Sequence, residues 1–289
     1  MKYFRNLFLL SLALSSVTCF ADNGKPDLWK FEKQGNVSYL FGSIHLGSQD
    51  MYPMSDRVIK AYQGSDELIV EIDIKPSEQT KMASMVQQYG VDTSIPLEKR
   101  LSTKGLVIYE KACKEKSLPC QQFSSFKAWL LSVQITAQEM QKNGYSDAFG
   151  IDKHFLDRAH KTNKPIISLE TVQSQLEVMA SFSQQLQELM LIQSLQTTKS
   201  DLEMLFSAWK TGDDAALDQI FRKDFDMPLV QELYVKLIES RNFDMVKKIE
   251  NAIAKDKSAF VVVGAGHIVG DNGLVDLLRK DGYKLTAIQ

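Results

Sequence analysis

Apolar positions recur along this chain at two spacings, and the switches between them divide it into elements. Leu28, Trp29 and Phe31 lead into a Gln34-Gly35-Asn36 turn, and an aromatic and β-branched run follows over residues 37–41. That pattern predicts a β-hairpin. A helix is expected from the Ser55-Asp56 cap to about Gln63, then a strand over residues 67–73. From Pro76 to about Gly144 the spacing is helical, with breaks near Gly90, Pro96, Gly105 and Pro119. Met82, Met85 and Val86 form one apolar stripe there, with the methionines read as core, and Trp129, Leu130, Val133, Ala137 and Met140 form another.

A helix over residues 151–161 precedes a strand over 164–169 that ends in Glu170. Residues 173–255 read as helices interrupted near Gly212 and Pro228; Leu186, Leu189, Met190 and Gln193 lie at helical intervals, as do Leu202, Leu205, Phe206 and Trp209. The chain closes with a strand over 258–263, a helix over 274–279 and a strand over 283–288. Strands at both ends, one in the middle and helices between predict an α/β (α+β) fold: one mixed sheet assembled from distant segments and packed against helices.

Composition adds little to that picture. The 289 residues are 44% hydrophobic and 24% charged, with a net charge of −2, which fits an ordinary globular body and gives no general attraction for nucleic acid. The N-terminus changes more. Lys2 and Arg5 precede an apolar run over residues 7–17, and Ala21 stands before Asp22. This predicts a signal peptide over residues 1–21 and a single domain over 22–289, periplasmic or secreted. The apolar run is shorter than the ~20 residues of a spanning helix, and no later run reaches that length. Cys19 leaves with the signal, so Cys113 and Cys120 remain as a pair, and a disulfide is expected in an oxidising compartment.

The candidate chemistry lies in a repeated motif. An apolar strand precedes Gly42-Ser43-Ile44-His45, and another precedes Gly264-Ala265-Gly266-His267. Each glycine stands at the expected strand exit, and each histidine falls just beyond, where open sheets gather ligands. Glu71 interrupts an otherwise apolar strand, a costly place for a charge without a partner or metal. Glu170 ends the middle strand. Imidazole and carboxylate donors suit a divalent ion (Mn, Co or Zn) bound by His45, Glu71 and His267. Glu170 would act as general base or further ligand, and Ser43 would bond to substrate or to a ligand. His154 and His160 are expected at the surface. The glycine pair at 264 and 266 imitates a dinucleotide loop, but the following strand lacks the acid such a site needs, and there is no Gly-x-Ser-x-Gly or His-Glu-x-x-His.

At these residues the chain resembles the TraB/GumN family, related to the animal TIKI proteins. The resemblance rests on Tyr39-Leu40-Phe41-Gly42-Ser43-Ile44-His45, Val70-Glu71, residues 123–130, Gly150-Ile151-Asp152, Ser168-Leu169-Glu170-Thr171 and Val263-Gly264-Ala265-Gly266-His267. Lys127-Ala128-Trp129 stands where the family often has Lys-Pro-Trp. The resemblance implies a mixed sheet surrounded by helices and, for the TIKI branch, a metal-dependent peptidase-like site in which His45, His267 and Glu71 occupy the matching positions.

The leading expectation is therefore an exported metal-dependent hydrolase, a peptidase above all, acting on a peptide or protein. The alternative is a non-catalytic binding protein that sequesters a peptide or a haem-like ligand. A third is a structural envelope protein whose strand carboxylates form internal ion pairs.

Overall fold

The segment Ala259–Gly264 is apolar at five successive positions, and all five are buried. A strand of that kind needs cover on both faces, which a central place in a sheet provides. The computed structural model describes residues 26–288 apart from 74, 255 and 256. The expected signal peptide, with Cys19, lies outside them.

Six strands form one sheet: β1 (Leu28–Lys33), β2 (Asn36–Ser43), β3 (Glu67–Val70), β4 (Ile166–Ser168), β5 (Ala259–Gly264) and β6 (Lys284–Ile288). Their order is β4-β3-β5-β2-β1-β6. β1 runs antiparallel to both β2 and β6, whereas β2, β5, β3 and β4 are mutually parallel. The sheet is mixed and built from both ends and the middle of the chain, as the pattern predicts. The parallel group has a further consequence: four strand C-termini open on the same edge.

Two sequence expectations shift here. Strand β3 ends at Val70, so Glu71 is the first residue past a strand end rather than a charge inside one. The apolar Ile72 beyond it disguises that boundary. Gly42, conversely, lies within β2, where it pairs with Val263, and β2 continues to Ser43, which pairs with Gly264. The two Gly-x-x-His elements are therefore neighbours across a parallel pair, one residue out of step.

Helices pack on the sheet to give the main core, with Phe41, Phe155, Phe206 and Phe260 among its fully buried residues. A second cluster joins Leu97, Tyr109, Phe123, Leu131, Leu191 and Leu195. It is held by the helices Thr103–Glu115, Ala128–Lys142 and Gln184–Gln196. The Cys113–Cys120 disulfide, as expected, ties one end of this layer to the turn that leads into Ala128–Lys142. Met82 and Met85 are only half-buried on helix Gln79–Gly90 and belong to neither cluster, because that helix packs on little besides helix Val172–Ala180. Among the described residues no helix is long and apolar enough to cross a membrane.

Candidate functional site

The helical layer stands over the open edge of the parallel strands and leaves a cavity of about 630 Å³ between them. Ser43, His45, Glu71 and His267 all line it. The imidazoles from opposite ends of the chain thus line one cavity together with a carboxylate.

Local backbone fit places each of these groups. After β2 the chain lies against Gly150: a Cβ there would come within 2.2 Å of the His45 carbonyl oxygen, so only glycine permits the approach. The Ile151 N–H then donates to the Ile44 carbonyl at 3.0 Å, which brings the first turn of helix Ile151–Thr162 beneath His45. Asp152 in that turn accepts from Ser43 Oγ at 2.6 Å and pairs with His45 Nδ1 at 2.8 Å. Burial opposes ionisation of Asp152, but His45, both side-chain bonds and a backbone N–H outweigh it and hold the carboxyl below its usual range. The same Asp152, by its charge and its hydrogen bond, pushes His45 up to about 9. The His45 side chain remains 64% accessible, and its open side faces the cavity.

His267 is the opposite case. It sits in the turn Ala265–His267 after β5 and is 3% exposed. Its Nδ1 lies 2.5 Å from Asn242 Oδ1, and Asn242 Nδ2 donates to the carbonyl oxygens of Asn272 and His267. Those donations fix the amide orientation, so Nδ1 carries the proton and Nε2 keeps a lone pair. Burial brings His267 down to about 4, helped by Arg241 and His45 and resisted by Glu71 and Glu170. It is neutral at pH 7.

Glu71 is 7% exposed. Its Oε1 accepts the Gly264 N–H at 2.7 Å, a contact that the missing side chain of Gly264 allows, since a Cβ would lie 3.2 Å from that oxygen. The same oxygen is 3.9 Å from His267 Nε2. Oε2 accepts from Arg241 at 2.9 Å and from Gln175 at 3.0 Å. Burial alone would raise Glu71, but the positive charges of His45 and Arg241 and the Gly264 N–H hold it low.

Glu170 continues the pairing of β3 and β4, its N–H donating to the Glu71 carbonyl at 2.8 Å. Both its oxygens are engaged: Arg241 Nε donates at 2.8 Å and Nη2 at 2.5 Å, and Gln175 Nε2 at 2.8 Å. It is not among the residues that line the cavity; Arg241 and Gln175, which do line it, stand between. Arg241 comes from a helix that runs from Pro228 through a π-helical turn, Val235–Glu239, to Ile253. Its Nη1 donates back to the Leu237 carbonyl in that turn at 2.7 Å. π-Turns often mark functional positions, and this one carries cavity-lining Leu237 and Ile238 just before Arg241.

Of the residues singled out in the sequence, His45, His267, Glu71 and Ser43 line the cavity and Glu170 does not; Arg241, Asn242 and Gln175 were not singled out, and Asp152 was given no role. Arg241 and Asn242 sit on an amphipathic helix where polar residues are ordinary, so no local signal marks them. His160 is exposed, as expected, and pairs with Asp73 at 2.8 Å. His154 is not a free surface residue: it is half-buried against Tyr52, whose ring centre lies 5.0 Å away, and burial lowers it.

The donor chemistry can be compared with that of a divalent-ion site. In each Gly-x-x-His element the histidine Nδ1 is held by a side-chain oxygen, Asp152 or Asn242, and such outer bonds characteristically orient a metal-binding Nε2. A carboxylate oxygen held ionised stands beside one of them. These groups fit in kind. Their placement is looser: among the described residues no three His, Cys, Asp or Glu side chains are close enough to hold an ion as they stand.

Comparison with known proteins was informative in sequence but not in structure. The protein YbaP of Shigella flexneri is 29% identical over 245 residues, 84% of this chain and 88% of its own length. YbaP of Escherichia coli K12 is 29% identical over 244 residues, with 83% and 87% covered. Metalloprotease TIKI2 of Xenopus tropicalis is 36% identical over only 70 residues, 24% of this chain and 13% of that protein. No solved structure matches significantly. The model of the TraB/PrgY/gumN family matches residues 27–287, nearly all that the structure describes, and this chain therefore belongs to that family.

Proposed function

We propose that this protein is an exported, divalent-metal-dependent hydrolase that acts on peptides. The observation that carries the reading is the pair of histidine Nε2 atoms, each oriented through Nδ1 by a side-chain oxygen, lining one cavity with an ionised Glu71. His45, Glu71 and His267 would hold an ion of Mn, Co or Zn. When bound, the ion would polarise a carbonyl and lower the pKa of a water toward ~7.

The chain's own residues supply orientation and charge. Asp152 aims His45, and Ser43 fixes the second oxygen of Asp152. Asn242 holds His267 in the tautomer with Nε2 free. Arg241 bridges Glu71 and Glu170; Glu170, which does not line the cavity, would position Arg241 rather than meet a substrate. The short match to a protein named a metalloprotease supports hydrolysis of peptides but covers a quarter of the chain. The Cys113–Cys120 disulfide agrees with export to an oxidising compartment.

The test is a defined peptide mixture incubated with protein that has been chelated and then given Mn²⁺, Co²⁺ or Zn²⁺. New termini should appear only with metal, and both His267→Ala and Glu71→Gln should abolish them. Cleavage that persists after chelation and in both variants would contradict the proposal. The apolar cavity with its accessible His45 favours one alternative, a carrier of a haem-like ligand. A Soret band on haem addition, lost in His45→Ala and unaccompanied by any cleavage, would establish that alternative instead.

A further inference from the structure

The floor of the cavity is polar, but its helical wall is mostly apolar. Val133 and Met140 come from helix Ala128–Lys142, Met179 from Val172–Ala180, Met190 from Gln184–Gln196, and Leu233 and Leu237 from the helix that carries Arg241. Three hydroxyls of this wall spend their protons on backbone carbonyls. Ser132 donates to the Trp129 carbonyl at 2.7 Å, Ser194 to Leu191 at 2.8 Å and Thr197 to Gln193 at 3.0 Å, each within its own helix. Thr136 and Gln193 also line the wall and leave it a few polar groups that a peptide backbone can use.

We infer that the cavity selects peptides with large aliphatic or aromatic side chains beside the bond presented to His45 and His267. The occupant is identified by this division. A mostly apolar wall whose Ser132, Ser194 and Thr197 hydroxyl protons are bonded internally offers burial but few hydrogen bonds to a polar side chain, so such a side chain would lose more water contacts than it regains. Three unbranched, polarisable methionines let one wall adapt to apolar groups of different shape. The space, about 630 Å³, lies within the usual range of specific ligand pockets. Val133 remains 45% exposed at this face.

The inference gives a substrate class to the proposed hydrolytic site and rests on that reading for turnover, but binding can be measured separately. Fluorescein-labelled acetyl-Leu-Phe-Leu-Met amide and acetyl-Ser-Asn-Gly-Ser amide would be titrated with the full chain by fluorescence polarisation, without metal and with Mn²⁺. The apolar peptide should bind at least about tenfold more tightly, the factor expected from burying one large side chain. Val133→Lys, at an exposed position that folding tolerates, should remove most of that difference, and Met190→Gln should reduce it. Equal binding of the two peptides, or a preference unchanged in both variants, overturns the inference. A peptide pool digested with metal adds the second arm. Cleavage without regard to neighbouring side chains overturns the apolar preference and leaves the hydrolase intact. Selective binding without cleavage keeps the apolar preference and removes the hydrolase.

Discussion

The same four-residue motif produces two unlike histidines. His45 lies open to the cavity, faces a carboxylate and is pushed up to about 9. His267 is buried, faces an amide and is brought down to about 4. Glycine spacing delivers both rings to one sheet edge, but the residue met at Nδ1 sets the charge. In the metal-free protein at neutral pH one ring is therefore a cation and the other a neutral donor. An ion entering between them would have to displace a proton from His45 alone.

The largest test of this contrast removes what the two surroundings share. Arg241 lies between Glu71 and Glu170, with its side chain 15% exposed. Arg241→Ala would leave two buried carboxylates facing each other, and thermal or urea denaturation should show a loss of about 3–5 kcal/mol. A loss below about 1 kcal/mol would mean that the cluster is hydrated and the contrast weaker than the geometry implies.

The next test uses pH, on chelated protein. A group whose pKa is lowered by folding contributes stability that disappears as pH falls through the interval. For His267 that interval runs from about 6.5 down to about 4, and on the order of 3 kcal/mol is involved. A group whose pKa is raised contributes stability that is complete below about 6.5 and disappears as pH rises. For His45 the loss ends near 9 and is smaller, because the ring is accessible to solvent. The acid slope of the melting temperature should therefore flatten in His267→Gln and the alkaline slope in His45→Gln. Both slopes unchanged would contradict the assignment.

A finer version exchanges the partners. Asp152→Asn should drop the His45 titration from about 9 to the ordinary histidine range or below, while Asn242→Asp should raise that of His267; both are visible by NMR. The smallest expected effect is that of Ser43→Ala, which removes one hydrogen bond to Asp152. It should cost about 1 kcal/mol and leave His267 unmoved.

How far these features were legible in the sequence follows from what each signal reports. The buried run of β5 and the glycine turn of the hairpin are local, so the sheet and both histidines could be read directly. Glu71 was found, but its place was not: Ile72 continues the apolar run past the point where β3 stops pairing, and only the register with β5 reveals the strand end. Val133, Met140 and Met190 were read as helical apolar stripes, which they are. Periodicity reports that a face is apolar and not whether another helix or a cavity meets it. Arg241 and Asn242 were invisible because their meaning depends on partners 71 and 25 residues away.

The most direct test of the two-histidine site is metal content. Purified protein would be stripped with chelator, equilibrated with Mn²⁺, Co²⁺ or Zn²⁺, desalted and assayed by mass spectrometry of the elements, beside His45→Ala and His267→Ala. One equivalent in the parent chain, lost in both variants, is the expected result. An equal amount of metal in all three proteins, or none in any of them, would contradict a shared ion between the two imidazoles.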